Sequence, residues 1–520
     1  MISKTHRTFM VLCIFIIAIL FRFIDLSGRP MHGDEAINAY KVYELIETGK
    51  FSYQPSQHHG PLLFYISNLI FLFNSFDSIN DLSVESLRSI TCVVGVLLVF
   101  FCFIFKNSIH QNTIYLVSGL MAVSPSLIYF SRYFIHEILM VFFSMVMIIG
   151  VYKYLDTGKQ FWIIFIGIIL GCMISTKETW PIFLIAMVIS GGISCSYNRR
   201  NHPISIKNYI IIIGVSVLTA FLFYSDYFKD VNNSIDFFQA FKFYLIRMSS
   251  EGIHNHPWYF YLMKFFPFNN FENLLYLGEG VLFLIFIFSL PLVIFSENYP
   301  FIVKFLFWFS LTLFILFSLI PYKTPWNIIS IIPGVIIVSA NTINYQISNL
   351  NKKSPGKFFI VLLFCLLLYQ SYSYNFKNES NPANPYVYSH PTDDIFKIEK
   401  KIYNMVNVLK NNIEFSIFII ATGHDYWPLP WYFRGIENIG YWDHIPKEVN
   451  LASIVIIPSS LETNLAEKFY DEGKQGIQSL LIPLFNEPIK LRSGLNINGW
   501  VKKEVYDLYK NLIIENGGIY

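Results

Sequence analysis

The stretch Arg29-Pro30-Met31-His32-Gly33-Asp34-Glu35-Ala36 lies just beyond the first long apolar run of the chain, residues 8–26. That run is about as long as the ~20 residues that a spanning helix needs. Because no small-residue cleavage site follows it, the run is predicted to be a retained membrane anchor. Two neighbouring carboxylates at the edge of a membrane are costly unless they have partners or a task. We therefore expect a membrane protein in which Asp34 and Glu35 occupy a functional loop.

The composition places the chain among polytopic helical membrane proteins. Of its 520 residues, 54% are hydrophobic and 14% are charged, whereas average proteins carry roughly 25% charged residues. The net charge of +3 is too small to indicate a nucleic-acid partner.

Eleven spans are predicted, near residues 8–26, 86–105, 112–130, 134–155, 160–176, 178–197, 207–228, 275–296, 301–320, 326–345 and 357–375. The apolar run 62–73 is too short to cross and predicts an interfacial or re-entrant helix.

The charges of the loops predict which side of the membrane each loop occupies. Lys and Arg concentrate in cytoplasmic loops, and the N-terminal segment carries Lys4 and Arg7. With the N-terminus in the cytoplasm, the remaining cytoplasmic gaps are also the more basic ones. This orientation places the loop 27–85, the loop 229–274 and everything after about residue 376 outside the cell.

The chain is expected to comprise two domains. Residues 1–375 form the membrane domain, and residues 376–520 form a small soluble extracytoplasmic α/β domain. In the second domain, 416–421 and 452–458 are predicted to be buried strands, and 393–411 and 461–474 are predicted to be helices. The aromatic run 424–434 is interpreted as core or membrane interface in preference to a sugar-binding surface.

The predicted outer side gathers the unusual polar residues of the chain. Ionisable groups at membrane depth mark function more often than packing. Beside Asp34 and Glu35, the candidates for substrate binding are His32, His58, His59, His136, Glu137, His254, His256 and Trp326, and the candidates for phosphate binding are Arg132, Lys177 and Lys323. Because these residues come from several loops, the sequence predicts a site assembled over a helical scaffold.

The residue types fit transfer of a sugar from a lipid phosphate to a hydroxyl group. The departing phosphate is already a stable anion, so the reaction needs one carboxylate to take the acceptor's proton and cations to neutralise the phosphate. Adjacent Asp34 and Glu35 point in different directions, which favours one base and one positioning group over the separated acid pair of a glycosidase. Arg132, with its planar guanidinium, suits bidentate phosphate contact.

Several motifs resemble those of the GT-C glycosyltransferases, in particular the family-39-related protein O-mannosyltransferase group. The Asp-Glu pair after the first span and the stretch from Ser124 to Glu137 carry this resemblance. Finer matches to a prokaryotic, largely archaeal subfamily of flippase-activity-associated, glycosyltransferase-like proteins are His32-Gly-Asp-Glu-Ala36, His58-His-Gly-Pro61, Tyr322-Lys-Thr-Pro-Trp326, Asn384-Pro-Tyr-Val-Tyr-Ser-His-Pro391 and Asp425-Tyr-Trp-Pro-Leu-Pro-Trp-Tyr432.

The resemblance implies a GT-C-like bundle of about 11 helices in a prokaryotic plasma membrane. It implies Asp34 as the catalytic base with Glu35 beside it, and Arg132 in the donor site. The implied donor is a polyprenyl- or dolichyl-phosphate sugar, and the implied acceptor is a glycan or a protein. A flippase or other glycan-assembly proteins are the implied protein partners. This chain has Glu137 where the superfamily often has Asp, so the role of that position stays open.

Each assignment has a structural alternative. Asp34 and Glu35 are suited to capping the helix that follows them, and Arg132 and Lys323 to anchoring at the interface. Asp34, Glu35, His58 and His136 are the candidate ligands of a divalent cation such as Mn²⁺, Mg²⁺ or Zn²⁺, although no fixed ligand spacing supports a metal site.

At the level of function, the alternative is a non-catalytic protein that binds lipid-linked glycans or assists a flippase. A transporter is disfavoured because the charges gather at span ends rather than at the midplane.

Overall fold

The computed structural model describes residues 4–55, 58–71, 78–197, 203–249, 252, 254–267, 277–350, 354–410, 413, 415–474 and 480–515. The chain is mainly helical, with a small sheet near its C-terminus. The helices of the membrane region are α1 Lys4–Phe23, α2 Gly33–Thr48, α3 Leu62–Phe71, α4 Val84–Phe100, α5 Gln111–Ala122, α6 Pro125–Ser131, α7 Glu137–Thr157, α8 Gln160–Ile174, α9 Trp180–Tyr197, α10 Ile206–Tyr224, α11 Asn232–Ser249, α12 Phe260–Phe265, α13 Gly278–Phe288, α14 Leu290–Phe295, α15 Phe301–Leu319, α16 Ile332–Asn349 and α17 Ser354–Tyr372.

The chain is a multi-pass membrane protein, but it has fewer long apolar helices than the eleven predicted spans. Within the described ranges, seven helices are long and apolar enough to cross a membrane, or eight if the bent pair α5 and α6 is one span. The predicted runs 160–176 and 178–197 give the shorter helices α8 and α9 because the polar segment 175–179 separates them. Of the run 62–73, residues 62–71 form helix α3, and residues 72 and 73 lie outside the described residues.

A bend of 56° separates α5 from α6. Pro125 is the first residue of α6 and cannot continue the hydrogen-bond ladder of α5. The carbonyls that the break leaves unpaired are satisfied by a neighbour, since the buried Arg22 guanidinium of α1 donates to the carbonyls of Met121 and Ala122, both at 3.2 Å. The Arg22 guanidinium and the carbonyls at the end of α5 thus satisfy each other's hydrogen-bonding groups inside the apolar bundle.

The C-terminal domain is a mixed sheet packed against helices. Its elements are α18 Asp394–Leu409, β1 Ile417–Ile420, α19 Leu429–Tyr432, β2 Ile439–Trp442, β3 Ile454–Pro458, α20 Glu462–Lys474, β4 Leu481–Pro483, β5 Ile489–Arg492, β6 Leu495–Lys502 and α21 Lys503–Glu515. The strand order is β2-β1-β3-β6-β4, with β5 also pairing with β6. Strands β1, β2 and β3 are parallel, and β6 pairs antiparallel with β3, β4 and β5. Both predicted strands and both predicted helices are confirmed, and the remaining strands were not foreseen.

The aromatic run of this domain packs against α2, the helix that follows the Asp-Glu pair. Trp431 and Phe433 are fully buried, so the interpretation of this part of the run as core is confirmed. The Tyr432 hydroxyl accepts a hydrogen bond from the backbone N–H of Met31 at 2.8 Å. Tyr40 in α2 donates to the carbonyl of Pro430 at 2.9 Å. The C-terminal domain therefore fixes the position of α2 over the membrane domain.

Candidate functional site

The first turn of α2 is held by a capping box. The Nδ1 atom of His32 accepts from the backbone N–H of Asp34 at 3.0 Å, and a Glu35 carboxylate oxygen accepts from the N–H of His32 at 3.1 Å. These contacts satisfy backbone donors that a helix N-terminus leaves unpaired. Glu35 therefore does cap helix α2, as its structural alternative predicted, together with His32. The Asp34 carboxylate takes no part in this cap.

Glu35 is a buried structural anchor. Its side chain has 0% exposure and forms an ion pair with Arg88 of α4, with Nε–Oε1 at 2.8 Å and Nη2–Oε2 at 2.7 Å. It also accepts from the backbone N–H of Phe134 at 2.8 Å. Burial alone would raise the pKa of Glu35, but the Arg88 guanidinium and these hydrogen bonds hold that pKa below its usual value. This geometry favours the role of positioning group over that of base.

Asp34 has the opposite environment. Its side chain is 53% exposed and lines a cavity of about 230 Å³. Ile37 and Asn38, three and four residues further along α2, line the same cavity, because residues at these spacings share a helix face. Of the two adjacent carboxylates, the structure therefore places one in the cavity and one in the protein interior.

The cavity brings together seven of the predicted site residues, namely Asp34, His58, His59, His136, Glu137, Lys177 and Trp326. Among the described residues that line it, Lys177 is the only lysine or arginine. The Lys177 ammonium pairs with the Glu137 carboxylate, both groups being buried. His59, which also lines the cavity, has its Nδ1 atom 2.7 Å from a carboxylate oxygen of Glu178. The cavity lining thus includes charged and polar groups.

His32 lies behind Asp34 in a cluster of aromatic rings. Its Nε2 atom is 3.1 Å from the carbonyl oxygen of Tyr388, and a carbonyl can only accept, so Nε2 carries the proton. Because Nδ1 accepts from Asp34, the contacts require the neutral tautomer. Burial lowers the pKa of His32 despite the two nearby carboxylates. His32 is thereby fixed as a neutral positioning residue for the turn that carries Asp34.

Tyr388 belongs to the segment that follows the last membrane helix. Its hydroxyl lies 2.6 Å from His254 Nδ1 and 3.3 Å from His256 Nε2. Its ring packs against Trp326 with centroids 5.9 Å apart. The two predicted histidines therefore support this segment and do not line the cavity.

Two predicted phosphate ligands are engaged elsewhere. The buried Arg132 guanidinium donates to the carbonyls of Ile24 at 2.5 Å and Asp25 at 2.8 Å, at the end of the first span. Lys323 donates to the carbonyls of His256 at 2.9 Å and Ile320 at 2.5 Å. Neither side chain lines the cavity. For both residues the geometry favours a structural role inside the protein, because both are buried and their donors already bind backbone carbonyls.

The predicted metal ligands do not converge. Glu35 is bound by Arg88, and His136 Nε2 points at the carbonyl of Gly60 at 3.1 Å. In the part of the chain that the structure describes, no group of three or more His, Cys, Asp or Glu side chains is arranged to hold a metal ion. The donor set Asp34, Glu35, His58 and His136 therefore does not fit a divalent cation.

Comparisons with solved structures cover nearly the whole architecture. The crystal structure of ArnT from Cupriavidus metallidurans bound to undecaprenyl phosphate matches with a TM-score of 0.60 and 11% identity, over 96% of this chain and 98% of that one. The Archaeoglobus fulgidus oligosaccharyltransferase, tethered with an acceptor peptide, matches with a TM-score of 0.56 and 12% identity, over 90% of this chain and 70% of that one. The chain has the GT-C glycosyltransferase fold.

Sequence comparison gives a partial match within the GT-C group. The model of the dolichyl-phosphate-mannose-protein mannosyltransferase family matches residues 62–224, which include Lys177 but begin after Asp34. The archaeal oligosaccharyltransferase has also been crystallised with zinc and sulfate, and that structure matches with a TM-score of 0.54 and 12% identity, over 88% of this chain and 69% of that one. No curated protein sequence matches the chain.

Arg88 and Tyr244 are among the residues of the site that were not predicted from the sequence. Arg88 falls inside the predicted span 86–105, and a buried charge in an apolar helix is itself a signal that a partner exists. Tyr244 of α11 lines the cavity, but nothing in its surrounding sequence distinguishes it from the other tyrosines. Arg88 could therefore have been found from the sequence, and Tyr244 could not.

A pH dependence of stability follows from His58, which lines the cavity. Burial, assisted by the nearby Lys41 charge, lowers the pKa of His58 to about 4. The unfolded chain, with a His pKa of about 6.5, then binds the proton more readily than the folded chain. The protein should therefore lose stability as the pH falls from about 6.5 towards 4, by roughly 1 kcal/mol per pH unit from this group. Melting temperatures of wild type and His58→Gln between pH 7 and pH 4 check this.

The test depends on the difference between the wild-type and His58→Gln melting temperatures across the pH range, and not on the wild-type curve alone. Burial raises the pKa of Glu379 to about 7, so this group adds stability as the pH falls from about 7 to 4.5 and opposes the effect of His58. His58→Gln should show the weaker loss of stability in acid. Parallel curves for the two proteins would contradict the assignment.

Proposed function

We propose that this protein is a glycosyltransferase that moves a sugar from a polyprenyl- or dolichyl-phosphate donor to an acceptor hydroxyl, with Asp34 as general base. The observation that carries the proposal is the division of labour between two adjacent carboxylates. Glu35 is buried and bound by Arg88, whereas Asp34 is exposed in the cavity. A general base must be ionised, reachable by the substrate and oriented. Of these two carboxylates, Asp34 is the one that a substrate in the cavity can reach.

The proposed step balances without a cofactor. The acceptor oxygen attacks the anomeric carbon, the bond from that carbon to the phosphate oxygen breaks, and the acceptor's proton passes to Asp34. The polyprenyl phosphate leaves as an anion that needs a cation but no acid. Attack opposite the leaving group inverts the anomeric centre. The plasma membrane location, the outer-face site and association with a flippase or other glycan-assembly proteins are part of the proposal and rest on loop charge and family resemblance.

The lipid donor is supported by two similarities. ArnT of the same fold was crystallised with undecaprenyl phosphate, and the matching family model describes enzymes that use dolichyl-phosphate mannose. Lys177 is the described cation in the cavity wall, so we assign it to the phosphate of the donor. On binding, the phosphate would share the ammonium group with Glu137.

Replacing Lys177 tests this assignment. A charge-assisted hydrogen bond contributes roughly 1.5–3 kcal/mol, so Lys177→Gln should weaken binding of polyprenyl phosphate about 10- to 100-fold. The measurement is the Kd for polyprenyl phosphate with the protein in lipid nanodiscs. Lys177→Gln combined with Glu137→Gln separates loss of the cation from exposure of an unpaired carboxylate. Lys323→Gln is the control outside the cavity, and an equal loss in that variant would refute the assignment.

The proposed function itself is tested by transfer of radiolabelled sugar from polyprenyl-phosphate donors. Purified wild-type protein should produce labelled acceptor, and Asp34→Asn should produce far less. If both proteins bind the donor equally and neither turns it over, the chain is instead a non-catalytic binder of lipid-linked glycans. That result would leave Asp34 without a catalytic role.

A further inference from the structure

Helix α11 presents an exposed apolar stripe along one side. Ile235, Phe238, Leu245 and Ile246 are each between 50% and 73% exposed. Their spacing of three, seven and one residues places them on one face of a helix with 3.6 residues per turn. Lys242, also exposed, lies within the same face. Such a stripe is costly in water, so a partner of matching chemistry is expected.

The opposite face of α11 packs against the protein. Asn233, Phe237, Ala240 and Tyr244 recur at spacings of four, three and four residues, which places them on a second face. Asn233 donates to the carbonyl of Phe51 at 2.7 Å and accepts from the N–H of Tyr53 at 3.2 Å. Tyr244 lines the cavity that contains Asp34. The orientation of the helix about its axis is therefore fixed, and the stripe faces away from the protein.

Exposed apolar side chains also cover one side of the preceding membrane helix. In α10, a helix apolar enough to span a membrane, Ile210, Ile213 and Val217 are 59–65% exposed on one side. Between α10 and α11, exposed apolar side chains continue with Tyr227 and Phe228.

The turn between the two helices is a fixed structural feature. Asp226, Tyr227 and Phe228 have φ angles of 49°, 55° and 70°, three successive residues in the left-handed region that L-residues rarely adopt. The buried carboxylate of Asp226 supports this turn by accepting from Tyr65 Oη at 2.8 Å and from the N–H of Phe51 at 3.3 Å. The direction in which α11 leaves α10 is thus set by the fold.

We propose that α11 is an interfacial helix that contacts membrane lipid through the stripe Ile235, Phe238, Leu245 and Ile246. Because α11 directly follows a membrane helix with exposed apolar side chains, lipid is favoured over a second protein. Lys242 argues in the same direction, since lysines at a membrane surface extend to the headgroups whereas charges are depleted from the core of protein interfaces. Because Tyr244 lies on the same helix, lipid contact also places one wall of the cavity at the membrane surface, where a lipid-linked donor of the proposed reaction would enter.

Collision measurements on spin labels test the lipid contact and do not depend on the proposed enzyme activity. A nitroxide is attached to p-acetylphenylalanine placed at position 238 or 245, so that the native cysteines remain unchanged. The full-length protein is reconstituted in vesicles of phosphatidylethanolamine and phosphatidylglycerol. Lipid contact predicts a higher ratio of oxygen to nickel-chelate collisions at both positions than at Leu451, which is 65% exposed on the C-terminal domain.

Two outcomes would overturn the proposal. Equal ratios at positions 238, 245 and 451 would place the stripe in water. Low collision rates with both reagents at positions 238 and 245 would show that the stripe is covered by protein, such as a second copy of the chain. A label at Ile235 provides a second report if substitution at either position impairs folding.

Discussion

Asp34→Asn is expected to reduce sugar transfer by roughly 10²–10⁴-fold, the usual contribution of a positioned general base. The amide keeps the size and hydrogen-bonding shape of the carboxylate but cannot take the acceptor's proton. Because Asp34 is exposed in the cavity and its neighbours Glu35 and His32 hold the turn without its side chain, the variant should fold normally. Donor binding should stay within a few-fold of wild type while kcat falls.

Asp443→Asn is the matched control for this experiment. Asp443 is 54% exposed, nearly the same as Asp34, and also lies beside a histidine, with Asp443 Oδ1 2.6 Å from His444 Nδ1. It belongs to the C-terminal domain and does not line the cavity. Transfer by Asp443→Asn should match wild type. Full activity in Asp34→Asn would remove Asp34 from the mechanism, and equal loss in both variants would point to a general effect of charge.

Arg88→Met is expected to cause the largest loss of stability, about 3–5 kcal/mol, because it leaves the buried Glu35 carboxylate without its counter-charge. Arg88 also donates to the backbone carbonyls of Leu26 at 2.6 Å, Arg29 at 2.9 Å and Pro30 at 3.1 Å. The guanidinium therefore organises the whole segment that leads into α2. The measurement is the free energy of unfolding in bicelles.

A double variant separates the unpaired charge from lost packing. Replacing both partners, Arg88→Met with Glu35→Leu, removes the uncompensated charge and should recover part of the lost stability. Activity should not recover, since the N–H groups of Phe134 and His32 lose the acceptor that fixes the turn before Asp34. A single Arg88→Met variant as stable as wild type would contradict the role of this pair. A double variant less stable than the single one would do so as well.

Much of the fold could be predicted because apolar runs and strand patterns are local signals. The first span and the strands β1 and β3 were readable in this way, whereas the predicted span 112–130 is broken before Pro125. The chain has fewer long apolar helices than the eleven predicted spans, since a hydrophobic run does not report where the helix within it ends. The helices of the predicted spans 160–176 and 178–197 stop short of each other at residues 175–179. Strands β2, β4, β5 and β6 were missed because their pairing depends on partners distant in the sequence.

The site could be predicted in part. Asp34, Lys177 and His58 lie together as expected, whereas Arg132 and Lys323 bind backbone carbonyls instead. A cation near a span end looks the same in sequence whether it faces a cavity or caps a helix. The difference depends on side-chain direction, which the sequence does not encode locally.

The sequence by itself determined that this protein is a polytopic membrane protein, that it carries an Asp-Glu pair after its first span, and that it resembles the GT-C group. Composition and short motifs suffice for these conclusions because hydrophobic length and motif spacing are properties of contiguous residues. Only the tertiary structure decided that Glu35 is an anchor and that Asp34 faces the cavity. The physical reason is Arg88, 53 residues further along the chain, because this buried charge accepts one of two adjacent carboxylates as its partner and leaves the other exposed.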